Sequence, residues 1–163
     1  MNIFYLDSNP AQAAKMICDK HVVKMPLESA QMLCTAHRVL DDVDVLAGQP
    51  LYKATHKNHP SSKWVRESQL NYMWLYEHFI ALCDEYKKRY NREHLTFTKL
   101  SKPLWYAPEN ISVVSFTEPP TCMPVHCIRE DAISSYRMYY NTEKSSIAKW
   151  DKLGNMPDWY LNT

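Results

Sequence analysis

A mainly α-helical fold is what this sequence predicts: a compact single-domain helical bundle over residues 1–163, with a short N-terminal strand and a proline-rich ordered loop. Three observations predict it. Only two glycines, Gly48 and Gly154, occur in 163 residues, so glycine-rich phosphate loops, dinucleotide fingerprints and Asn-Gly or Asp-Gly hairpins cannot be written here. Long stretches repeat their apolar residues at alternating spacings of three and four, the period of a helix. Prolines 103, 108, 119, 120 and 124 crowd a stretch with no period at all, which reads as a loop wrapped over helices.

Each element follows in order. "MNIFYLD" alternates Ile3 and Tyr5 with Asn2, Phe4 and Leu6, the pattern of a short strand. In "SNPAQAAK", Ser8 or Asn9 caps a helix whose first turn holds Pro10, where a missing N–H does no harm. The segment "CDKHVVKMPLESAQMLCTAHRVL" continues helically, and Pro26 should kink or break it near Val22 to Met25, because its ring opposes the carbonyl four residues earlier. "DDVDVLAGQP" reads as an acidic loop. Pro60 then opens one long helix on which Tyr72, Tyr76, Phe79, Cys83, Tyr86 and Tyr90 recur at helical spacing. After the proline-rich stretch, "REDAISSYRMYYNTEKSSIAKW" resumes helix, with a possible second start at Asn141 or Thr142. The tail "NMPDWYLNT" is short and aromatic.

Lysine plus arginine (19) nearly balances aspartate plus glutamate (18). Contact with nucleic acid therefore has to rest on a local patch rather than a global basic field. Five cysteines, an odd and scattered set, suit free thiols in a reducing cytoplasm. The N-terminus lacks the basic and apolar regions of a signal peptide, and no apolar run nears the roughly 20 residues that span a bilayer. A cytoplasmic protein without membrane contact is expected.

The candidate site begins with a line of polar residues. His21, Lys24, Glu28, Gln31, Thr35 and Arg38 follow one another at spacings of three and four, so a helix sets them along one stripe of an otherwise apolar cylinder. The stripe is either the helix's one solvated face or the lining of a cleft. An amine, a carboxylate, an imidazole and a guanidinium together suit acid–base or Schiff-base chemistry. A second cluster, "THKNHPSSKWVRES", gathers His56, His59, Lys63 and Arg66 around a helix N-terminus, which already favours anions. Those four, with Gln31 and Arg38, are candidate phosphate- or nucleic-acid-binding residues. Arg137 and Lys144 join them from "YRMYYNTEKSSIAKW", where dense tyrosine is more often core than a stacking platform.

Metal sites read poorly. Cys18–His21 and Cys34–His37 share a C-x2-H spacing, but sixteen residues of helix rotate by roughly 160° between the pairs, which prevents them from sharing one ion. Cys122, His126 and Cys127 form a third group, in which adjacent residues make poor shared ligands. No metal and no cofactor is expected.

The stretches "MNIFYLDSNPAQAA", "CDKHVVKM", "THKNHPSSKWVRES", "NYMWLYEHFIALCDEY" and "YRMYYNTEKSSIAKW" resemble a family of small proteins encoded by tailed bacteriophages, a resemblance that covers most of the chain and implies no particular activity. More distantly, the strand, the polar-striped helix, the "NHP" loop before a long helix and the "PDWY" tail resemble the pyrimidine-dimer DNA glycosylases of the endonuclease V type. In that family an N-terminal amine attacks the sugar carbon to form a Schiff base, and a glutamate on the first long helix assists. The resemblance places the amine on Met1 and the carboxylate on Glu28. Asn2 is a poor residue to follow a removed initiator, which keeps Met1 in place. Alignment through Pro26 sets Lys24 near the family's carboxylate, so Lys24 is the alternative amine.

The expected function is a DNA- or nucleotide-directed phage enzyme of an infected host cell, glycosylase/lyase-like or base-modifying. Lys24, Glu28, His21 and Met1 would be catalytic, with His21 and Gln31 orienting or reading the base. The alternative is a non-catalytic factor that uses the same pocket to bind a nucleotide or a host protein.

Overall fold

A computed structural model describes residues 1–162. Six α-helices, about half the chain, carry the architecture: α1 (Pro10–Met16), α2 (Asp19–Leu40), α3 (Pro60–Glu67), α4 (Gln69–Tyr90), α5 (Leu95–Leu100) and α6 (Ala132–Asn141). α2 and α4 are the two long ones, and α2 packs on α4, as do α1 and α3. α4 buries residues around most of its circumference, including Tyr72, Leu75, Phe79 and Leu82. The mainly helical fold that the sequence predicts is the one observed.

Local chemistry sets the helix boundaries. The Asn9 side chain accepts from Ala11 and Gln12 N–H at the start of α1, with Pro10 in the first turn, the cap-plus-proline arrangement. α2 does not break at Pro26 but runs through it. Deprived of one donor at the Val22 carbonyl, it is held by burial of Val22, Met25, Met32 and Leu33. The helix expected from Pro60 is two helices. Ser68 lies in extended backbone between them, and its hydroxyl accepts from Leu70 N–H and donates to the Val114 carbonyl (2.9 Å). At its other end α4 stops on Asn91, which adopts the left-handed conformation (φ 54°) that asparagine tolerates better than most residues.

Two expectations fail in instructive ways. The N-terminal segment is buried from Ile3 to Leu6 but forms no strand. Phe4 takes positive φ (58°) and Leu6 N–H closes on the Phe4 carbonyl (2.9 Å). Among the described residues no strand pairs with this segment to reward extension, whereas the Phe4 ring stacks on His21 (4.4 Å between centroids) and meets Tyr140 edge-on (5.4 Å). Aromatic packing thus offsets an unfavourable backbone. The only sheet among the described residues lies in the segment read as an acidic loop, where Val45–Leu46 (β1) pairs antiparallel with Gln49–Pro50 (β2). Ala47 (φ 50°) and Gly48 (φ 74°) make the turn between them, as a two-residue hairpin with positive φ at both positions requires.

Residues 103–127 are the ordered, proline-rich wrap the sequence predicts. Asn71 holds this segment to the α3–α4 junction by accepting from Thr117 N–H (3.0 Å) and donating to the Thr117 hydroxyl and the Trp64 carbonyl. Trp64 donates its indole N–H to the Thr117 carbonyl (2.8 Å). Beyond α6 the chain continues in turns rather than a second helix. The aromatic tail, described through Asn162, brings Trp150, Trp159 and Tyr160 against Tyr140 and one another. No helix among the described residues is long and apolar enough to cross a membrane.

Candidate active site

The N-terminal segment, the first half of α2, the start of α3 and the wrap enclose a predominantly polar cleft of about 400 Å³. Met1, Asn2, Phe4, His21, Lys24, Met25, Glu28 and His59 line it from one side, and Cys122, Tyr139 and Lys144 from the other. At its centre is the Glu28 carboxylate. One oxygen accepts the backbone N–H of Asn2 (3.2 Å), and the other takes the Lys24 ammonium (3.0 Å). Glu28 is mostly sheltered (side chain 14% exposed), whereas Lys24 reaches in from the rim (68%). A pair so exposed contributes little to stability. Its interest is chemical, because a sheltered carboxylate paired with an amine, one residue from the chain start, can exchange protons with that amine.

The surroundings fix these groups. Asn2 donates its side-chain amide to the Cys122 carbonyl (2.9 Å), and its own Oδ1 accepts from Ile3 N–H. The start of the chain is thereby tied to the wrap. His21 is buried, with Nδ1 2.7 Å from the Tyr140 hydroxyl, which also receives the Cys18 N–H at 3.5 Å. Burial, reinforced by the Lys144 and Lys24 charges, holds the His21 pKa down at about 4, so the ring is neutral at neutral pH. With the Tyr140 hydroxyl donating to Nδ1, the proton of neutral His21 sits on Nε2. His59 caps α3 by accepting Ser61 N–H at Nδ1 (3.1 Å). Its pKa is lowered, first by burial and then by the N-terminal ammonium and His56. The Lys144 ammonium lies over the Tyr139 ring at 4.8 Å.

The polar stripe on α2 therefore serves two purposes. Its N-terminal half, His21, Lys24 and Glu28, lines the cleft. Its C-terminal half is covered by residues 51–55: the Thr35 hydroxyl accepts Thr55 N–H (3.2 Å), and Arg38 donates to the Tyr52 and Leu51 carbonyls (2.7 and 3.0 Å). The stripe is polar throughout because its far half satisfies a strand-less backbone.

Of the candidate residues, the cleft brings together Met1, His21, Lys24, Glu28, His59 and Lys144. Gln31, Arg38, His56, Lys63, Arg66 and Arg137 do not line it. Arg66 donates to the Ser62 and Lys57 carbonyls, and His56 pairs with the Thr55 hydroxyl. Arg137 donates to the Leu6 carbonyl and lies over Trp159 (5.4 Å). Lys63 is exposed on α3. Sequence reasoning missed Asn2, Phe4 and Met25 as lining residues. It also missed Cys122 and Tyr139, which come from the aperiodic wrap and from a helix whose tyrosines read as core. In the C-x2-H pairs, His21 is engaged as above, and His37 Nε2 pairs with the Tyr72 hydroxyl (2.9 Å).

A larger, mostly apolar groove of about 1000 Å³ runs along α4 and α5 past Tyr76, Ile80, Phe97 and Trp105. Of its charged residues, Lys87 and Glu93 are paired with each other and Asp84 with Lys88. Chemistry rather than volume marks the smaller cleft as the candidate site.

A small helical protein with an amine, a carboxylate and a neutral imidazole in one cleft beside its chain start fits the class of base-excising DNA enzymes. The comparison with known families agrees: the chain belongs to the pyrimidine dimer DNA glycosylase family, whose model matches residues 1–98. No curated protein and no solved structure shows a significant match to the chain. Membership makes this a DNA glycosylase-like protein of the DNA-repair type, with DNA as its substrate. The matched stretch contains the cleft from Met1 to His59; Cys122, Tyr139 and Lys144 stand outside it.

Proposed function

We propose that the protein excises a base from duplex DNA by amine catalysis in the N-terminal cleft. The observation that carries this reading is the Glu28 carboxylate, bonded at once to the Asn2 backbone nitrogen and the Lys24 ammonium. The α-amine of Met1 is the nucleophile. It attacks the sugar carbon that bears the base, the base departs, and the sugar is held as a Schiff base on the protein. Glu28 relays the protons: it takes one from the Met1 ammonium, freeing the amine that attacks, and gives it to the ring oxygen as the sugar opens, while the attached nitrogen loses its second proton to the departing base. Lys24 is the alternative amine, on the same carboxylate. Neutral His21, with Lys144 and His59, orients the flipped nucleotide and its phosphate. Extruding a base into a cleft this small costs a few kcal/mol. The resemblance to tailed-phage proteins makes an infected host cell the setting for this activity.

Borohydride reduction in the presence of ultraviolet-irradiated or abasic duplex DNA tests the reading. A covalent adduct mapped by mass to the N-terminal peptide is expected, and Glu28→Gln should slow turnover by roughly 10²–10⁴-fold while DNA binding persists. Absence of an adduct on both substrates overturns amine catalysis. An adduct on Lys24 instead moves the nucleophile along the same carboxylate.

A further inference from the structure

At the end of the wrap, three side chains of different chemistry converge. His126 and Cys127 belong to a 3-10 turn (Val125–Cys127), and Glu143 follows the end of α6. One donor atom from each lies within 4.8 Å of the other two. The His126 Nε2 and a Glu143 carboxylate oxygen are 2.6 Å apart. We infer that His126, Cys127 and Glu143 form a zinc(II) site, a property separate from the amine chemistry of the cleft.

The donor set selects the ion. A thiolate, an imidazole and a carboxylate together are the mixed sulfur, nitrogen and oxygen ligation of zinc, while magnesium and calcium take oxygen donors only. Thiolate and carboxylate supply two negative charges against the two positive charges of the ion. Arg129, a cation two residues beyond Cys127, has its guanidinium turned to the His126 and Ile128 carbonyls. Tetrahedral ligation with bonds of about 2.0–2.3 Å sets ligand atoms roughly 3.3–3.7 Å apart. The His126–Glu143 contact therefore opens by about 1 Å, which these two exposed side chains (62% and 41%) can supply. Cys127, fully buried, is the fixed corner. The Thr142 hydroxyl, 3.4 Å from its sulfur, donates to the Met138 carbonyl, so Cys127 is the donor in that contact and gives up its proton when the ion binds. A water completes the fourth position.

The sequence argued against a metal here because adjacent residues make poor shared ligands, yet the 3-10 turn brings a donor atom of His126 and one of Cys127 within 4.8 Å of each other and of Glu143. Cys122 in fact faces Ser61 (3.5 Å), and the third ligand comes from Glu143, sixteen residues beyond Cys127. Zinc would join the wrap to the segment that carries Lys144. Cys122 and Lys144 both line the cleft, so the ion braces one wall of it without entering the reaction.

The test uses the full chain, stripped with chelator and titrated with cobalt(II). A thiolate-to-cobalt charge-transfer band saturating at one ion per chain is expected, displaced by one equivalent of zinc. Cys127→Ser should lose the band. Glu143→Gln and His126→Ala, both at exposed positions that leave folding intact, should weaken cobalt binding at least about tenfold. No band at millimolar cobalt, or a band that survives in Cys127→Ser, overturns the site.

Discussion

Acid should destabilise this protein well before its carboxylates protonate, and two buried histidines set the size of the effect. His21 and His78 are each held at a pKa of about 4. For His21 the cause is burial and then the charges of Lys144 and Lys24. For His78 it is burial, opposed by its 3.0 Å contact with the Pro10 carbonyl. Both side chains belong to buried residues, so neither shift is relaxed by solvent. The folded pKa lies below the unfolded value of about 6.5, so between those values the unfolded chain binds more protons and stability falls as pH falls. From pH 7.5 to 5.5 each histidine should cost roughly 1 kcal/mol, and the pair about 2–3 kcal/mol. The depressed values of His37 and His59 add in the same direction. Urea midpoints, followed by circular dichroism across that range, measure the loss. His21→Asn and His78→Asn keep a polar group near Nδ1 but remove the titration, so each should flatten the dependence by its own share. A wild-type stability constant from pH 7.5 to 5.5, or an unchanged slope in both variants, would refute the reasoning.

Other consequences can be checked directly. Arg89, wholly buried, donates to Asp19, to Glu85 and to the Ile17 and Lys15 carbonyls; Arg89→Met strands two carboxylates and should cost about 3–5 kcal/mol by denaturant titration. Tyr140→Phe leaves His21 Nδ1 and Cys18 N–H without their shared partner, a loss of about 1–3 kcal/mol. Lys24→Ala should change stability by less than about 1 kcal/mol, given the exposure of its ion pair, yet alter the rate of base release in a single-turnover assay. Glu28→Gln should slow that step by roughly 10²–10⁴-fold, with an unchanged far-ultraviolet spectrum. A peptide extension ahead of Met1 should block the α-amine and remove the borohydride adduct, while the extended chain still binds DNA.

The helices were legible because period and capping agree. Ser68, which divides α3 from α4, was not, since its reason lies in Val114, forty-six residues away. The N-terminal alternation was misleading: period two marks a strand only where a partner strand exists, and here Phe4 is claimed by His21 and Tyr140. The stripe on α2 drew the eye to His21, Lys24 and Glu28, which line one cleft. It could not say that Thr35 and Arg38 serve the backbone of residues 51–55. Nor could spacing within one helix disclose that Cys122 and Tyr139 close the cleft, because an aperiodic segment carries no signal of where it folds back.

The tie between Asn2 and the Cys122 carbonyl has a consequence for the order of events in synthesis. The first residues leave the ribosome long before residue 122 exists, and at about 5–20 residues per second that interval lasts several seconds or more. Throughout it the α-amine and its neighbours are open to whatever trims or modifies a nascent chain. Once the wrap is made and settles, the same atoms lie in a cleft with a carboxylate beside them. The nucleophile proposed above is thus open to processing while the protein is still unfolded, and folding ends that interval.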